Sequence, residues 1–211
     1  GETITVGLDG LRDRLAAYRR MGARFAKWRA VFSPTDGHHS WGCIEANASA
    51  LARYAALCQE ADLVPIVEPE VLMTGGHSRE RCQHVTETVL LSVFEHLAAQ
   101  RVWFEGMILK PAMVAAGFEC PTQDSDDMVA QATIASLLRV VPAAVPGIAF
   151  LSGGQSAERA SNRLNAMKLI AKARSPALPW PLIFSFARAI QKPALALWQG
   201  QDSNVPAAQS A

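Results

Sequence analysis

Two hydrophobic patterns alternate along the chain, short continuous runs and longer stripes at helical spacing. The runs are brief, rich in aliphatic and aromatic residues and bounded by turn residues, which predicts five strands at 23–29, 63–68, 102–110, 146–151 and 180–185. The stripes predict helices over 44–60, 80–99, about 125–139, 157–173 and 187–198. One more helix is predicted before the first strand, at 11–21, with Asp9 as its N-cap. A loop is predicted at 36–39, and Ser125 or Asp124 is expected to cap the helix near 125.

Strictly alternating strands and helices predict a parallel sheet with right-handed crossovers, either a (β/α) barrel or a doubly wound open sheet. Polar groups stand at or just past the predicted strand ends, namely Lys27, Glu68, Glu70, Lys110, Ser152 and Arg188. A barrel gathers every strand end around one mouth, whereas an open sheet concentrates its site at one switch point. The pattern therefore favours an α/β fold of the barrel type. The barrel would be incomplete, because a closed one needs eight strands and typically about 250 residues.

Composition narrows the function classes. The 211 residues carry a net charge of +1, with no basic block that would indicate a nucleic-acid partner. No apolar run approaches membrane-spanning length and no signal peptide opens the chain. The four cysteines, Cys43, Cys58, Cys82 and Cys120, are widely spaced without a CxxC pair, so we expect buried thiols in a reducing, cytoplasmic compartment and no metal site. The first residue is Gly1, not Met, from which we expect sequence upstream.

Lys110 ends a predicted strand that is rich in aromatic and aliphatic residues, and it is followed by Pro111. Because proline cannot donate to a strand ladder, the strand should stop there and place Lys110 at its carboxyl end. A lysine among apolar neighbours resists carrying its charge, and a neutral amine can form a Schiff base with a ketone or aldehyde. The alternative is a strand-end lysine that extends its ammonium group to solvent.

A glycine-rich turn, Ser152-Gly153-Gly154, follows the fourth predicted strand. Glycines let backbone N–H groups approach an oxyanion, and the N-terminus of the following helix adds a favourable dipole. Arg188, after the fifth strand, offers a guanidinium fork that fits phosphate oxygens. Most such turns serve only as turns, so the segment alone does not establish a phosphate site.

Five segments together resemble class I fructose-1,6-bisphosphate aldolase, in that family's order and spacing. They are 7–11 (GLDGL), 25–29 (FAKWR), 64–70 (VPIVEPE), 109–111 (LKP) and 150–156 (FLSGGQS), and the resemblance runs from residue 1 to about 209. It implies a (β/α)8 barrel of which this chain holds about strands four to eight, over residues 1–198, followed by a polar tail at 199–211. It also implies a homotetramer once the barrel is complete, and no cofactor.

The resemblance also implies catalytic roles. Lys110 matches the lysine that attacks the C2 ketone of the sugar bisphosphate, and Glu68 matches the carboxylate that shuttles protons during dehydration of the carbinolamine. Lys27 matches a second active-site lysine, whose like charge would disfavour a charged Lys110. Arg29 matches a substrate-binding residue, and Glu70 is a second carboxylate beside Glu68. An ordinary pair of loop-facing acids is the alternative for Glu68 and Glu70.

For the phosphate, Ser152, Gly153 and Gly154 match the loop that holds the C1 phosphate, with Arg188 as its partner. Ser185-Phe-Ala187-Arg188 stands where the family usually has Ser-Tyr-Gly-Arg, so the Ala187 methyl is expected to crowd the phosphate. The family's cleavage aspartate, on its first strand, and the lysine and serines that hold its C6 phosphate have no counterpart here.

Two functions from different classes follow. One is an aldolase that reversibly cleaves fructose 1,6-bisphosphate to dihydroxyacetone phosphate and glyceraldehyde 3-phosphate in glycolysis. The other is a catalytically impaired aldolase-like module that binds a partner or a phosphosugar. A different Schiff-base barrel enzyme fits the set of segments less well. The side chains expected to face inward are Phe25, Ile66, Ile108, Phe150 and Ile183.

Overall fold

The computed structural model describes residues 2–35 and 39–211. Of the predicted loop at 36–39, residues 36–38 lie outside the described residues. The helices are α1 Leu11–Arg20, α2 Trp41–Glu60, α3 Arg79–Ala99, α4 Asp126–Val140, α5 Ala157–Ala173, α6 Arg188–Trp198 and α7 Val205–Gln209. The strands are β1 Phe25–Phe32, β2 Val64–Val71, β3 Ile108–Leu109, β4 Ile148–Phe150 and β5 Leu182–Phe184.

The five strands form one parallel sheet in the order β1-β2-β3-β4-β5. Strand order equals chain order, without the reversal that defines the switch point of a doubly wound sheet. The sheet is therefore an arc of a (β/α) barrel, and the predicted α/β fold is confirmed. Within the described residues, none of the helices has both the length and the apolar character needed to cross a bilayer.

Serine residues are the N-caps of four helices, α2, α3, α4 and α5. Ser40, Ser78, Ser125 and Ser156 each accept a hydrogen bond from the N–H three residues on, which satisfies a donor that the helix itself leaves unpaired. The predicted cap at Ser125 is confirmed. The prediction for Asp9 is wrong, because the N-cap of α1 is Gly10 in a left-handed conformation with no side-chain cap. The Asp9 carbonyl instead accepts from Arg14.

The strand register sorts side chains into a helix-facing and an inner face. Val67, Leu109 and Ile148 are mutual register partners and are completely buried under the helices. Their neighbours in sequence, including Lys110, point to the inner face. By this register Phe150 lies on the helix-facing side, so its predicted inward orientation is wrong. The inner face is largely uncovered at both sheet ends, where Phe25 is 61% and Ile183 47% exposed.

The first two strands extend further than predicted. β1 continues to Phe32 and β2 to Val71, with eight register pairs between them. Lys27 and Glu68 consequently lie in mid-strand, not at the strand ends as predicted. Their side chains still point to the inner face, because successive side chains of a strand alternate between the two faces of the sheet.

The third strand is much shorter than predicted, and only Ile108–Leu109 of 102–110 is β-structure. Upstream, the side-chain amide of Gln59 both donates to the Trp103 carbonyl and accepts from its N–H. A 3-10 turn, Phe104–Gly106, follows. On the β2 side, Pro65 lies just before the two residues that pair with β3 and offers no N–H to extend the ladder.

Residues 3–5 cross the outer edge of β1, which no further strand of the described chain pairs with. The Thr5 hydroxyl donates to the Arg29 carbonyl at 2.7 Å. The fully buried Asn47 of α2 fixes this segment by accepting from the Thr5 N–H and donating to the Thr3 carbonyl. Three of the four cysteines are buried as predicted, whereas Cys120 is only half-buried; all four are free thiols.

Candidate active site

A cavity of about 380 Å³ opens at the carboxyl end of the sheet. Residues from all five strands or the loops after them line it: Lys27, Arg29, Glu68, Glu70, Lys110, Leu151, Ser152, Gly153, Ser185, Ala187 and Arg188. Ten of these are residues that the sequence predicted as site residues. A larger depression of about 520 Å³ lies elsewhere, against α1 and α2, and its most closely paired charges, Arg12 and Glu60, are exposed and neutralise each other.

Glu68 is the electrostatic centre of the cavity. One carboxylate oxygen lies 2.7 Å from Lys27 Nζ, and the other lies 3.3 Å from Lys110 Nζ. Glu68 is 4% and Lys110 7% exposed. Buried charges are stable only when they are paired, and this carboxylate is paired on both sides. The arrangement places a proton acceptor against the amine of Lys110.

Arg29 and Glu70 form a second ion pair on the same face, one register step nearer the mouth. Glu70 is buried, whereas the Arg29 side chain is 43% exposed. The guanidinium therefore bridges the buried carboxylate and the solvent-filled cavity. Arg29 thus presents a positive charge to the cavity, and Glu70 is its ion-pair partner.

The Ser152-Gly153-Gly154 turn faces the lysines across the cavity. Gly153 and Gly154 have φ values of 61° and 93°, in the left-handed region that side chains with a Cβ disfavour. A Cβ on Gly153 would also lie 3.1 Å from the sulfur of Met73. Gly153 lines the cavity, whereas Gly154 sits behind it against Phe118. Both glycines are therefore required by the backbone.

The segment after β5 closes the same side. The Ser185 N–H donates to the Phe150 carbonyl at 2.8 Å, which ties this segment to β4. Ala187 is the N-cap of α6, and Arg188 is its first residue. The guanidinium of Arg188 lies beside the glycine turn, since a Cβ on Gly154 would be 3.8 Å from Nη2. A helix N-terminus, an arginine and a glycine turn thus converge on one part of the cavity, the combination expected for a phosphate.

Sequence reasoning missed the loops that support this turn. The loop after β3 is hydrogen-bonded to the loop after β2. The Gly117 N–H donates to the His77 carbonyl, and the Phe118 N–H donates to the Met73 carbonyl. A Cβ on Gly117 would lie only 2.0 Å from the Gly75 carbonyl oxygen. These loops carry no hydrophobic period, so glycines were their only signal. Leu151 also lines the cavity, but as the last apolar residue of the strand predicted at 146–151 it has no feature that marks a site residue.

A buried lysine beside a carboxylate, at the carboxyl end of parallel β/α strands, defines the class: an α/β-barrel enzyme domain with its site at the strand ends. Comparison with known proteins gives the family. The family model for class I fructose-bisphosphate aldolase matches residues 1–211, and the chain belongs to this family.

Named relatives agree with this assignment. The chain is 53% identical over 212 residues to fructose-bisphosphate aldolase B of Gallus gallus, covering 100% of this chain and 57% of the relative. It is 54% identical over 198 residues to a probable class 1 fructose-bisphosphate aldolase of Xanthomonas campestris, covering 94% and 58%. A ternary structure of Plasmodium falciparum fructose-bisphosphate aldolase with TRAP and a small-molecule inhibitor superposes with a TM-score of 0.91 at 47% identity, covering 98% and 59%. The chain thus spans less than two thirds of the length of these relatives.

Proposed function

We propose that this chain carries the Schiff-base half of a class I fructose-bisphosphate aldolase site, with Lys110 as the nucleophile. The observation that carries the proposal is the Lys27–Glu68–Lys110 contact, in which one buried carboxylate touches two amines at 2.7 and 3.3 Å. The ligand is a sugar phosphate with a ketone at C2. In a completed barrel we propose the reversible cleavage of fructose 1,6-bisphosphate in glycolysis.

Imine formation requires that Lys110 lose a proton before attack and that the carbinolamine hydroxyl gain one before it leaves, and Glu68 is placed for both transfers. The carboxylate takes a proton from Lys110, whose free amine then attacks the C2 carbonyl. A proton shifts from nitrogen to the new alkoxide oxygen of this adduct and gives the neutral carbinolamine. Glu68 next returns its proton to the carbinolamine hydroxyl, which leaves as water, and the nitrogen lone pair forms the protonated imine. Lys27 donates to the other oxygen of Glu68 and stabilises its ionised form before the first transfer and after the second.

The protonated imine serves as the electron sink for breaking the bond between C3 and C4. The electrons of that bond move toward the imine nitrogen, while the proton on the C4 hydroxyl must be taken up by a base. The family's cleavage aspartate has no counterpart in this chain. The residues present therefore support imine formation, and efficient cleavage depends on a group outside them.

The C1 phosphate is proposed to bind at Gly153, the N-terminus of α6 and Arg188. Ser152 and Ser185 line the same part of the cavity. Phosphate charge at a helix N-terminus beside a guanidinium is favourable without further contacts. The distance along the sheet from Lys110 to this turn sets which carbonyl of the ligand meets the amine.

Borohydride reduction in the presence of dihydroxyacetone phosphate tests the proposal, because it converts an imine into a stable secondary amine. We expect a single adduct that peptide mass mapping places on Lys110. Lys110→Ala should abolish the adduct while circular dichroism stays unchanged. Lys168→Ala, which removes an exposed lysine outside the cavity, is the matched control and should react as the wild type does. An adduct on Lys27 instead would contradict the assignment.

The second candidate, an impaired aldolase-like module that binds a phosphosugar or a partner, is favoured by the uncovered inner face at Phe25 and Ile183. The two candidates differ in covalent chemistry. A module would bind dihydroxyacetone phosphate without a trapped adduct. For the completed barrel we also propose a cytoplasmic homotetramer, as the family resemblance implies.

A further inference from the structure

The carbonyl of Ser152, in the turn proposed to bind phosphate, is held by two donors from one residue. The backbone N–H and the side-chain Nε2 of Gln155 both lie 3.0 Å from this oxygen. Gln155 is itself buried, at 4% exposure. Two donors on one carbonyl fix the orientation of the whole peptide plane, because the plane is rigid.

The other end of that peptide is the Gly153 N–H. In a trans peptide the carbonyl and the N–H point in opposite directions. Drawing the Ser152 oxygen toward Gln155 therefore turns the Gly153 N–H the other way, toward the cavity that Gly153 lines. Among the described residues, neither Gly153 N–H nor Gly154 N–H donates a hydrogen bond, so Gly153 offers a donor to a ligand.

A primary amide can rotate by half a turn, which would exchange its oxygen and its NH₂. Arg163 prevents this exchange, since its Nη1 donates to Gln155 Oε1 at 2.7 Å and only the amide oxygen can accept. Arg163 is fixed in turn, at 3% exposure, by donating through Nε to Asp126 Oδ1 of α4 at 3.1 Å. Asp126, Arg163 and Gln155 form a continuous relay that ends at Ser152.

We propose that Arg163 and Gln155 are positioning residues that aim the Gly153 N–H at the phosphate. The inference rests on the proposed function, because it assigns a purpose to the same turn. Neither side chain lines the cavity. Both act through the Ser152–Gly153 peptide alone, without touching the ligand.

Two substitutions separate the parts of the relay. Gln155→Glu keeps an acceptor for Arg163 and the backbone N–H that donates to Ser152. It replaces the side-chain donor with a carboxylate oxygen, which repels the Ser152 carbonyl. Arg163→Lys keeps the positive charge but removes the guanidinium fork that reaches Gln155 and Asp126 together. Arg79→Lys is the matched control. Arg79 donates in the same way to Asp124, just before α4, and has no bond to the turn.

The readout is the ratio of borohydride trapping efficiency for dihydroxyacetone phosphate to that for unphosphorylated dihydroxyacetone. We expect this ratio to fall about tenfold in Gln155→Glu and in Arg163→Lys, the loss of about one hydrogen bond to a charged group. The ratio should not change in Arg79→Lys. A merely structural role would lower trapping of both ketones and leave the ratio intact, which would overturn the inference.

Failure of the proposed function gives a different result. If the wild-type chain traps neither ketone, Lys110 is not the nucleophile. Titration with inorganic phosphate then decides the relay by itself: about tenfold weaker binding in both variants supports it. Equal binding in wild type and variants overturns it, as does a wild type that shows no preference for the phosphorylated ketone and no phosphate binding.

Discussion

At the scale of single residues, the site depends on where one carboxylate lies. Glu68 contacts both lysines, whereas Glu70, two residues further along the same face, contacts only Arg29. Two acids that look equivalent in the sequence thus have different partners. The one beside Lys110 is suited to moving protons, and the other to holding a guanidinium.

Glu68→Gln should slow imine formation by about two to four orders of magnitude, the usual contribution of a positioned acid–base group. The amide keeps the shape of the side chain but neither accepts the Lys110 proton nor returns it. Rapid-quench trapping with borohydride measures the rate constant. Glu87→Gln is the control, because Glu87 is another ion-paired carboxylate, held by Arg139, and lies outside the cavity. Unchanged single-turnover kinetics in Glu68→Gln would sink the assignment.

Gly153→Ala should weaken inorganic phosphate binding about tenfold and lower the free energy of unfolding by about 1–2 kcal/mol. An alanine is strained in the left-handed backbone conformation of this position, and its Cβ would lie 3.1 Å from the sulfur of Met73. Gly200→Ala is the matched control, with a φ of 73° and open space around its Cβ position. It should share the stability loss but leave phosphate binding unchanged, as followed by calorimetric titration and guanidinium unfolding. Equal phosphate affinity in both variants would contradict the placement of the turn.

At the scale of elements, the loops after β2 and β3 act as one rim. Gly117 passes so close to Gly75 that no side chain fits between them. Met73 and Phe118 of these loops lie against Gly153 and Gly154, respectively. A shift of the rim would therefore shift the glycine turn. The loops therefore matter to the site although, apart from Lys110 directly after β3, they contribute no residue to the cavity lining.

Gly117→Ala should destabilise the fold by about 3 kcal/mol, because the new methyl meets a backbone carbonyl that cannot move alone. Thermal or guanidinium unfolding measures the loss. Gly147→Ala is the comparison, since its Cβ would be 3.8 Å from Pro181, an ordinary contact. Gly147→Ala should be tolerated. A Gly117→Ala protein as stable as the wild type would show that the two loops are not packed as described.

The order of the elements could be predicted from the sequence, but their lengths could not. Periodicity distinguishes strands from helices, and alternation of the two implies a parallel sheet. The length of β3 depends on its neighbours. Pro65 of β2 has no N–H that could extend the ladder, and the Gln59 side chain bonds the N–H and carbonyl of Trp103, which are then not available to a strand. Neither effect is visible in the segment 102–110 itself. Likewise, the continuously apolar strand at Phe150 has no alternation that could reveal its inner face.

The clustering of the candidate site was predictable for a related reason. Strand ends of a barrel converge, so residues about 40 positions apart in the chain could be grouped without knowing any distance. What the sequence did not contain was the pairing within the group. That Glu68 lies between two lysines depends on two registers. The β1–β2 register sets Lys27 opposite Ile66, and the β2–β3 register sets Val67 opposite Leu109, so that Lys110 follows beside Glu68.

At the scale of the whole molecule, β1 and β5 are the two edges of the sheet, and within residues 2–35 and 39–211 no further strand pairs with either. An unpaired row of N–H and C=O groups recruits other strands. The uncovered inner face adds to this, since a few hundred Å² of wet apolar surface costs several kcal/mol at roughly 25 cal/mol per Å². Typical total stability is only about 5–15 kcal/mol. We therefore expect the isolated chain to associate or unfold readily and to be an inefficient aldolase.

Val31→Pro should reduce that association while the fold persists. The carbonyls of Arg24 and Phe32 accept from the N–H groups of Val64 and Leu72, whereas the Arg29 carbonyl accepts from the Thr5 hydroxyl. The backbone groups of even-numbered residues of β1 therefore point to β2, and those of odd-numbered residues point to the outer edge. Proline at 31 removes an edge donor, whereas Ala30→Pro, its neighbour, breaks the ladder to β2 and should cost about 3 kcal/mol. Size-exclusion chromatography with light scattering and a coupled aldolase assay measures the outcome. A sharp monomer peak with ordinary cleavage activity in the wild type would refute the expectation.

The sheet ladder is uneven, with eight register pairs between β1 and β2 but two, one and three between the later strands. Amide hydrogens exchange with solvent when such ladders open, and short ladders open at lower free energy. The part of the site that holds Lys27 and Glu68 is thus built on a continuous ladder. The part that holds Lys110 and the glycine turn rests on separate backbone hydrogen bonds, such as the one from the Lys110 N–H to the Val67 carbonyl, and on the side chain of Gln155. We therefore expect the amide hydrogens of β3 to β5 to exchange with solvent sooner than those of β1 and β2.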